Sequence, residues 1–168
     1  MDSYLERLRQ ELEATIASAE PSRMEVGPAG KWTPAQVLEH LYLTYRGTNA
    51  GLAKCLEKGA PLGRACTFKD RVRAFAVINL SYFPSGRKSP ERAEPKGMLA
   101  KDVSSAILPE IEKMEAGFTE CERKFGSRAK ILDHPALGPL NVAQWQKFHL
   151  AHGRHHARQI RERLGEGK

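Results

Sequence analysis

The stretch NVAQWQKFHLAHGRHHARQI, residues 141–160, holds four of the chain's six histidines. Asn141 is a good helix cap, because its side chain can accept a hydrogen bond from a first-turn amide. The pattern predicts a helix from Asn141 to about Leu164, ending before Gly165. Residues three or four apart on a helix share a face. His152 and His156 are four apart, His149 and His156 seven apart and nearly eclipsed, and His155 points about 60° away from His152, so the run holds several possible ligand pairs. Two imidazoles one turn apart can clasp a borderline metal ion. With Arg154 and Arg158 interleaved, the same run also suits an anion-binding face or an ordinary solvated surface. Spacing alone leaves all three readings open.

A second histidine sits inside a helix far upstream. TPAQ, residues 33–36, is a strong start signal: Thr33 caps, Pro34 takes the first helical position and Gln36 completes a capping box. The helix then runs to about Gly59-Ala60-Pro61, with Val37, Leu38, Leu41, Tyr45, Leu52 and Leu56 on its apolar side. His40 lies beside that stripe, so its ring nitrogens need partners on another helix. The histidine-rich last helix is an economical source. His134, in a loop before Pro135, is the weaker ligand candidate. Gly47 and Gly51, four apart, suggest a close helix contact and with it a homodimer through helix faces.

The other segments complete an all-α pattern. Residues 2–19 read as a helix capped by Asp2 or Ser3, with Leu5, Leu8, Leu12 and Ile16 in one stripe. Residues 20–32 read as a loop. A helix over 68–80 carries Val72, Phe75, Ala76 and Leu80 as its expected apolar side. Residues 81–101, rich in proline and basic side chains, read as a long connector that could lie over a site. A helix from near Asp102 to Phe125 has Val103, Ile107, Ile111, Met114 and Phe118 in register, with Pro109 expected to kink it or delay its start. Residues 126–140 read as another loop. No strand pattern competes, and nothing repeats. One domain over residues 1–168, built as a helical bundle, is the expectation.

Composition sets the outer limits. The chain has 168 residues, enough for one sizeable core. With 40 % apolar and 28 % charged residues it reads as globular rather than disordered. The formal net charge of +7 favours acidic partners. The basic residues are spread among acids, as in Glu6-Arg7 and Arg161-Glu162, which argues against a nucleic-acid surface. The N-terminus has no apolar signal region, and no stretch approaches the roughly 20 apolar residues of a membrane span. Cys55, Cys66 and Cys121 form no CxxC, so free thiols in a reducing cytoplasm are expected.

No nucleophile motif or phosphate-binding glycine loop is present; GRKSP, residues 86–90, is basic but opens no helix. Glu39 is turned about 100° from His40 along the helix and reads as a solvated acid rather than a general base. Trp32, Tyr42, Tyr45 and Trp145 read as packing residues, and Cys55 lies too far along the helix from His40 to act with it.

Two segments carry a resemblance: WTPAQVLEHL, residues 32–41, and HPALGPLNVAQWQKFHLAHGRHHARQI, residues 134–160. Together with the intervening lengths they resemble the DinB-like superfamily, and within it the branch of unknown function DUF1569. The resemblance implies a DinB-like four-helix bundle with an additional short helix and long connecting loops. It implies a divalent metal ion, zinc or nickel, held by His40, His152 and His156. His149, His155 and Gln159 would then be pocket or supporting groups. It also implies a metal-dependent enzyme acting on a small-molecule substrate, either a small-thiol-dependent S-transferase, with a thiol such as bacillithiol or mycothiol, or a hydrolase. A metal-binding or structural protein without turnover, and a stress-related protein associated with nucleic acid, are the competing classes.

Overall fold

In the computed structural model, residues 3–83 and 89–165 are described. Asp2, residues 84–88 of the 81–101 connector and with them most of residues 86–90 lie outside them.

Four long helices form the bundle: α1 (Tyr4–Ser18), α3 (Pro34–Lys58), α5 (Ala100–Phe125) and α6 (Val142–Leu164). α3 packs mainly on α5 and α1 mainly on α6, while α3 also crosses α6. The starts of these helices follow from local chemistry. Thr33 and Gln36 close a reciprocal capping box on α3, and Asn141 and Gln144 do the same on α6. Ser3 caps α1. Gly59 and Gly165 end α3 and α6 in the left-handed conformation that glycine adopts without steric cost. The stripe Leu5, Leu8 and Leu12 meets Val103, Ile107, Ile111, Met114 and Phe118 in one core with Leu38, Leu41 and Tyr45.

Several expectations change. The 20–32 loop contains a one-turn helix, α2 (Pro21–Met24). α5 begins two residues before Asp102. Leu99 occupies its cap position without a side-chain bond, and the Glu25 carboxylate accepts the Ala100 N–H at 2.6 Å instead. α5 runs through Pro109 uninterrupted. A small antiparallel hairpin, β1 (Leu132–His134) with β2 (Gly138–Leu140), replaces part of the 126–140 loop. Three-residue strands are too short for a period-two pattern to register.

α4 (Phe68–Leu80) has the predicted length, but its faces are inverted. Ala74 and Val77 are buried, whereas Phe68, Val72, Phe75 and Leu80 are exposed. Asp70 sets this orientation. Its carboxylate pairs with Arg64 at 2.7 Å, closes a capping box with Thr67 and lies against Gly138 of β2. Residues 70, 74 and 77 share a face, so anchoring Asp70 turns Ala74 and Val77 inward.

The close approach expected at Gly47 and Gly51 is made by another glycine. A Cβ on Gly47 would meet open space, and one on Gly51 would meet Leu132 of the hairpin rather than a helix. A Cβ on Gly153 would collide with Leu8 and come within 3.2 Å of the Tyr45 hydroxyl, so Gly153 is where α1, α3 and α6 converge. Overpacking costs typically about 1–3 kcal/mol, and the higher helix propensity of alanine returns about 1 kcal/mol. Gly153→Ala is therefore expected to lower the thermal midpoint in a calorimetric scan. An unchanged or raised midpoint would show that Leu8 yields freely.

Candidate functional site

α3 and α6 bring three imidazoles to one point. His40 Nε2 is 3.5 Å from His152 Nε2, and His152 Nε2 is 3.0 Å from His156 Nε2. The ligand atoms of all three lie within 4.8 Å of one another. His40 is buried; His152 and His156 are half-buried and open onto a cleft of about 1280 Å³.

Which nitrogen faces the centre is decided by the partner of the other one. His40 Nδ1 donates to the Ala93 carbonyl oxygen at 2.8 Å, with Ser89 Oγ 3.4 Å away. A carbonyl can only accept, so His40 Nε2 carries a lone pair. His156 Nδ1 donates to Gln159 Oε1 at 2.8 Å, which leaves its Nε2 in the same state. His152 Nδ1 is buried with no hydrogen-bond partner. Burial lowers the pKa of all three below the ordinary histidine value, that of His156 to about 3. Neighbouring imidazoles push His152 and His156 further down.

His152, whose Nδ1 has no partner, can meet these two lone pairs with an Nε2–H donated to His156 or, when a cation lies between the rings, with a lone pair of its own. A tetrahedral ion with Zn–N bonds of 2.0–2.1 Å sets its ligand nitrogens about 3.3–3.4 Å apart. The observed 3.0 and 3.5 Å bracket that spacing. The cluster can hold a divalent ion, and the carbonyl oxygens of Ala93 and Gln159 are the outer partners that orient such ligands.

The remaining expected residues divide around it. Gln159 bridges His156 and His155, donating from Nε2 to His155 Nε2 at 3.2 Å. His155 lines the cleft and stacks on Phe83 with centroids 4.9 Å apart. His149 is in the core, fully buried, with Nε2 3.2 Å from Thr48 Oγ1, its ring stacked on Trp145 and edge-on to Tyr45. It is a supporting core group and does not line the cleft. His134 is outside the cluster; its Nδ1 accepts the Ala136 and Leu137 N–H groups. Trp145 and Trp32 both pack on the core as expected, and both also line the cleft, Trp32 with its ring 5.4 Å from that of His40.

The residue most misjudged from sequence is Glu39. It is 1 % exposed, and its carboxylate accepts three backbone N–H groups, from Lys96, Gly97 and Met98, at 2.8, 3.0 and 3.0 Å. Gly97, at φ 93°, permits the turn that aims them. Glu39 and His40 thus grip the same connector, one through amides and one through the Ala93 carbonyl in the 3-10 turn Glu91–Ala93. Burial is unbroken over residues 37–41, so the start of α3 faces inward nearly all round, which no local sequence pattern shows.

Residues 7–163 match the family described as "Protein of unknown function (DUF1569)". The chain belongs to the DUF1569 family. Its helical bundle agrees with the DinB-like fold expected for that branch. No curated protein and no solved structure matches it. Among the described residues, no helix is long and apolar enough to cross a membrane.

Two outcomes follow from these geometries. Glu39→Gln keeps the shape but loses the charge and sets an NH₂ against backbone donors. It should cost about 1–3 kcal/mol and speed amide exchange at Lys96, Gly97 and Met98; unchanged protection there would contradict the clamp. Acid should also destabilise the fold. His149 is held neutral by burial, with its pKa lowered to about 3, so it takes up a proton on unfolding as the pH falls. Its contribution is complete above about pH 6.5 and falls toward pH 3 by up to about 1.4 kcal/mol per pH unit. His149→Leu should flatten the slope of denaturant-derived stability against pH over that window; an identical slope would exclude His149 as a source.

Proposed function

We propose that this protein is a divalent-metal-dependent enzyme whose ion is held by His40, His152 and His156, and that its reaction is transfer of a small thiol to an electrophilic substrate. The observation carrying this reading is the convergence of three Nε2 atoms, two of them with lone pairs fixed by carbonyl partners, on the wall of a cleft. A divalent ion bound there, zinc or nickel, supplies the Lewis acidity that keeps a thiol as its thiolate at neutral pH.

The donor set favours thiol transfer over hydrolysis. Three neutral imidazoles leave the full double charge of the ion uncompensated, which suits an anionic next ligand, thiolate or hydroxide, so the choice between them rests on the base. No carboxylate belongs to the cluster among the described residues. Glu39, the acid next to His40 in sequence, spends both oxygens on backbone amides. A hydrolase would need a general base within hydrogen-bond reach of its water. Trp32, Phe83 and Phe148 pack around the histidine rings. His155 and Gln159 hold His156 in its orientation. The free thiols Cys55, Cys66 and Cys121 suit a reducing, cytoplasmic setting. The match over residues 7–163 supports treating the chain as one functional unit.

Purified protein should carry about one divalent ion per chain by elemental analysis. His40→Ala, His152→Ala and His156→Ala should each lose it, while His155→Ala should retain it. Full occupancy in the triple variant would sink the site. Turnover of an electrophile only when a small thiol is supplied selects transfer; turnover with water alone selects hydrolysis.

A further inference from the structure

The cleft beside the histidines carries more positive charge than its own acids answer. Arg46, Lys54, Arg92 and Arg163 line it against Glu94 and Asp133. Asp133 already accepts the Arg64 N–H at 3.2 Å.

One of these cations stands apart. Arg163 Nη1 is buried and has no hydrogen-bond partner although the rest of the side chain is partly exposed, and Arg163 feels Glu162 electrostatically but makes no ion pair among the described residues. Its neighbour Arg161, by contrast, is paired with Glu11 at 2.8 Å and bonded to Thr15. Burial pulls the Arg163 pKa down, yet a guanidinium stays charged in proteins. A buried donor without an acceptor is costly, and one that a native structure keeps calls for a partner, a water or a ligand.

Its place on α6 gives the ligand an address. Arg163 follows His156 by seven residues, so it lies on nearly the same face about 10 Å further along the axis. Helix side chains lean toward the N-terminus, which carries the guanidinium back toward His156. Its charge acts on the His156 ring in the same direction as burial, the dominant effect there.

We infer that Arg163 anchors a carboxylate or phosphate group borne by the molecule that reacts at the histidines, so the substrate class is anionic. The planar fork of arginine matches either anion with two parallel hydrogen bonds. The reacting end of this molecule rests on the metal-centre reading above; the anchor itself does not require the ion. The anion belongs either to the thiol or to the electrophile that accepts it.

The test uses zinc-loaded protein and three probes: inorganic phosphate, 3-mercaptopropionate and 2-mercaptoethanol. In wild-type protein, phosphate should shift the Arg163 Nε–Hε resonance. By calorimetry, Arg163→Met should weaken phosphate binding by about tenfold or more and leave 2-mercaptoethanol unaffected. Arg163→Lys, which keeps the charge without the fork, should fall between. An equal loss for 3-mercaptopropionate assigns the anion to the thiol; loss for phosphate alone assigns it to the electrophile. An unmoved Arg163 resonance, or unchanged affinity of Arg163→Met for both anions, overturns the proposal. Protein that takes up no zinc but still binds phosphate through Arg163 would defeat the metal reading and leave the anchor standing.

Discussion

The Ala93 carbonyl oxygen, 2.8 Å from His40 Nδ1, determines which face of that imidazole is free. Gln159 Oε1 does the same for His156. Both bonds turn an Nε2 lone pair toward the same small volume, where His152 presents a third nitrogen. Such an arrangement is unfavourable on its own. Protonating one ring would relieve it, but burial opposes protonation, and the rings stay neutral well below the ordinary histidine range. Two arrangements relieve the crowding without charging a buried imidazole: an Nε2–H of His152 donated to His156, and a cation shared among the three rings.

That requirement reaches through the bundle. His40 and the pair on α6 meet only because α3 crosses α6, and Gly153 lets α1 and α3 press against α6 at the level of the cluster. The connector after α4 supplies the Ala93 carbonyl, and the Glu39 carboxylate pins the next turn of it through three amides. Adjacent residues on α3 therefore divide the work: His40 faces the cleft while Glu39 secures the segment that orients it. Beneath, His149 extends the α6 histidine run into the core, where Thr48, Tyr45 and Trp145 surround it.

Much of this was legible in the sequence. A capping box at Thr33 and the cap residue Asn141 marked the starts of the two ligand-bearing helices, and the 3.6-residue period showed which histidines share a side. Proximity of His40 to the pair on α6 spans 112 residues, and periodicity carries no information at that range; the family resemblance supplied it. Other features depend on partners that no local pattern names. Glu39 looks like a surface acid until the amides of residues 96–98 arrive. α4 looks amphipathic about Val72 and Phe75 until Asp70 binds Arg64 and turns the opposite side inward. The hairpin is too short to leave a period, and Arg163 is ordinary in a basic tail until the burial of its Nη1 is seen.

The central claim is that three Nε2 atoms share one divalent ion. X-ray absorption at the metal edge of zinc-loaded protein tests it most directly. The account predicts three imidazole nitrogens at about 2.0–2.1 Å, with the outer-ring scattering of three histidines, and one further light ligand that gives way to sulfur when a small thiol is added. A first shell containing protein thiolates, or fewer than three imidazoles, would contradict it.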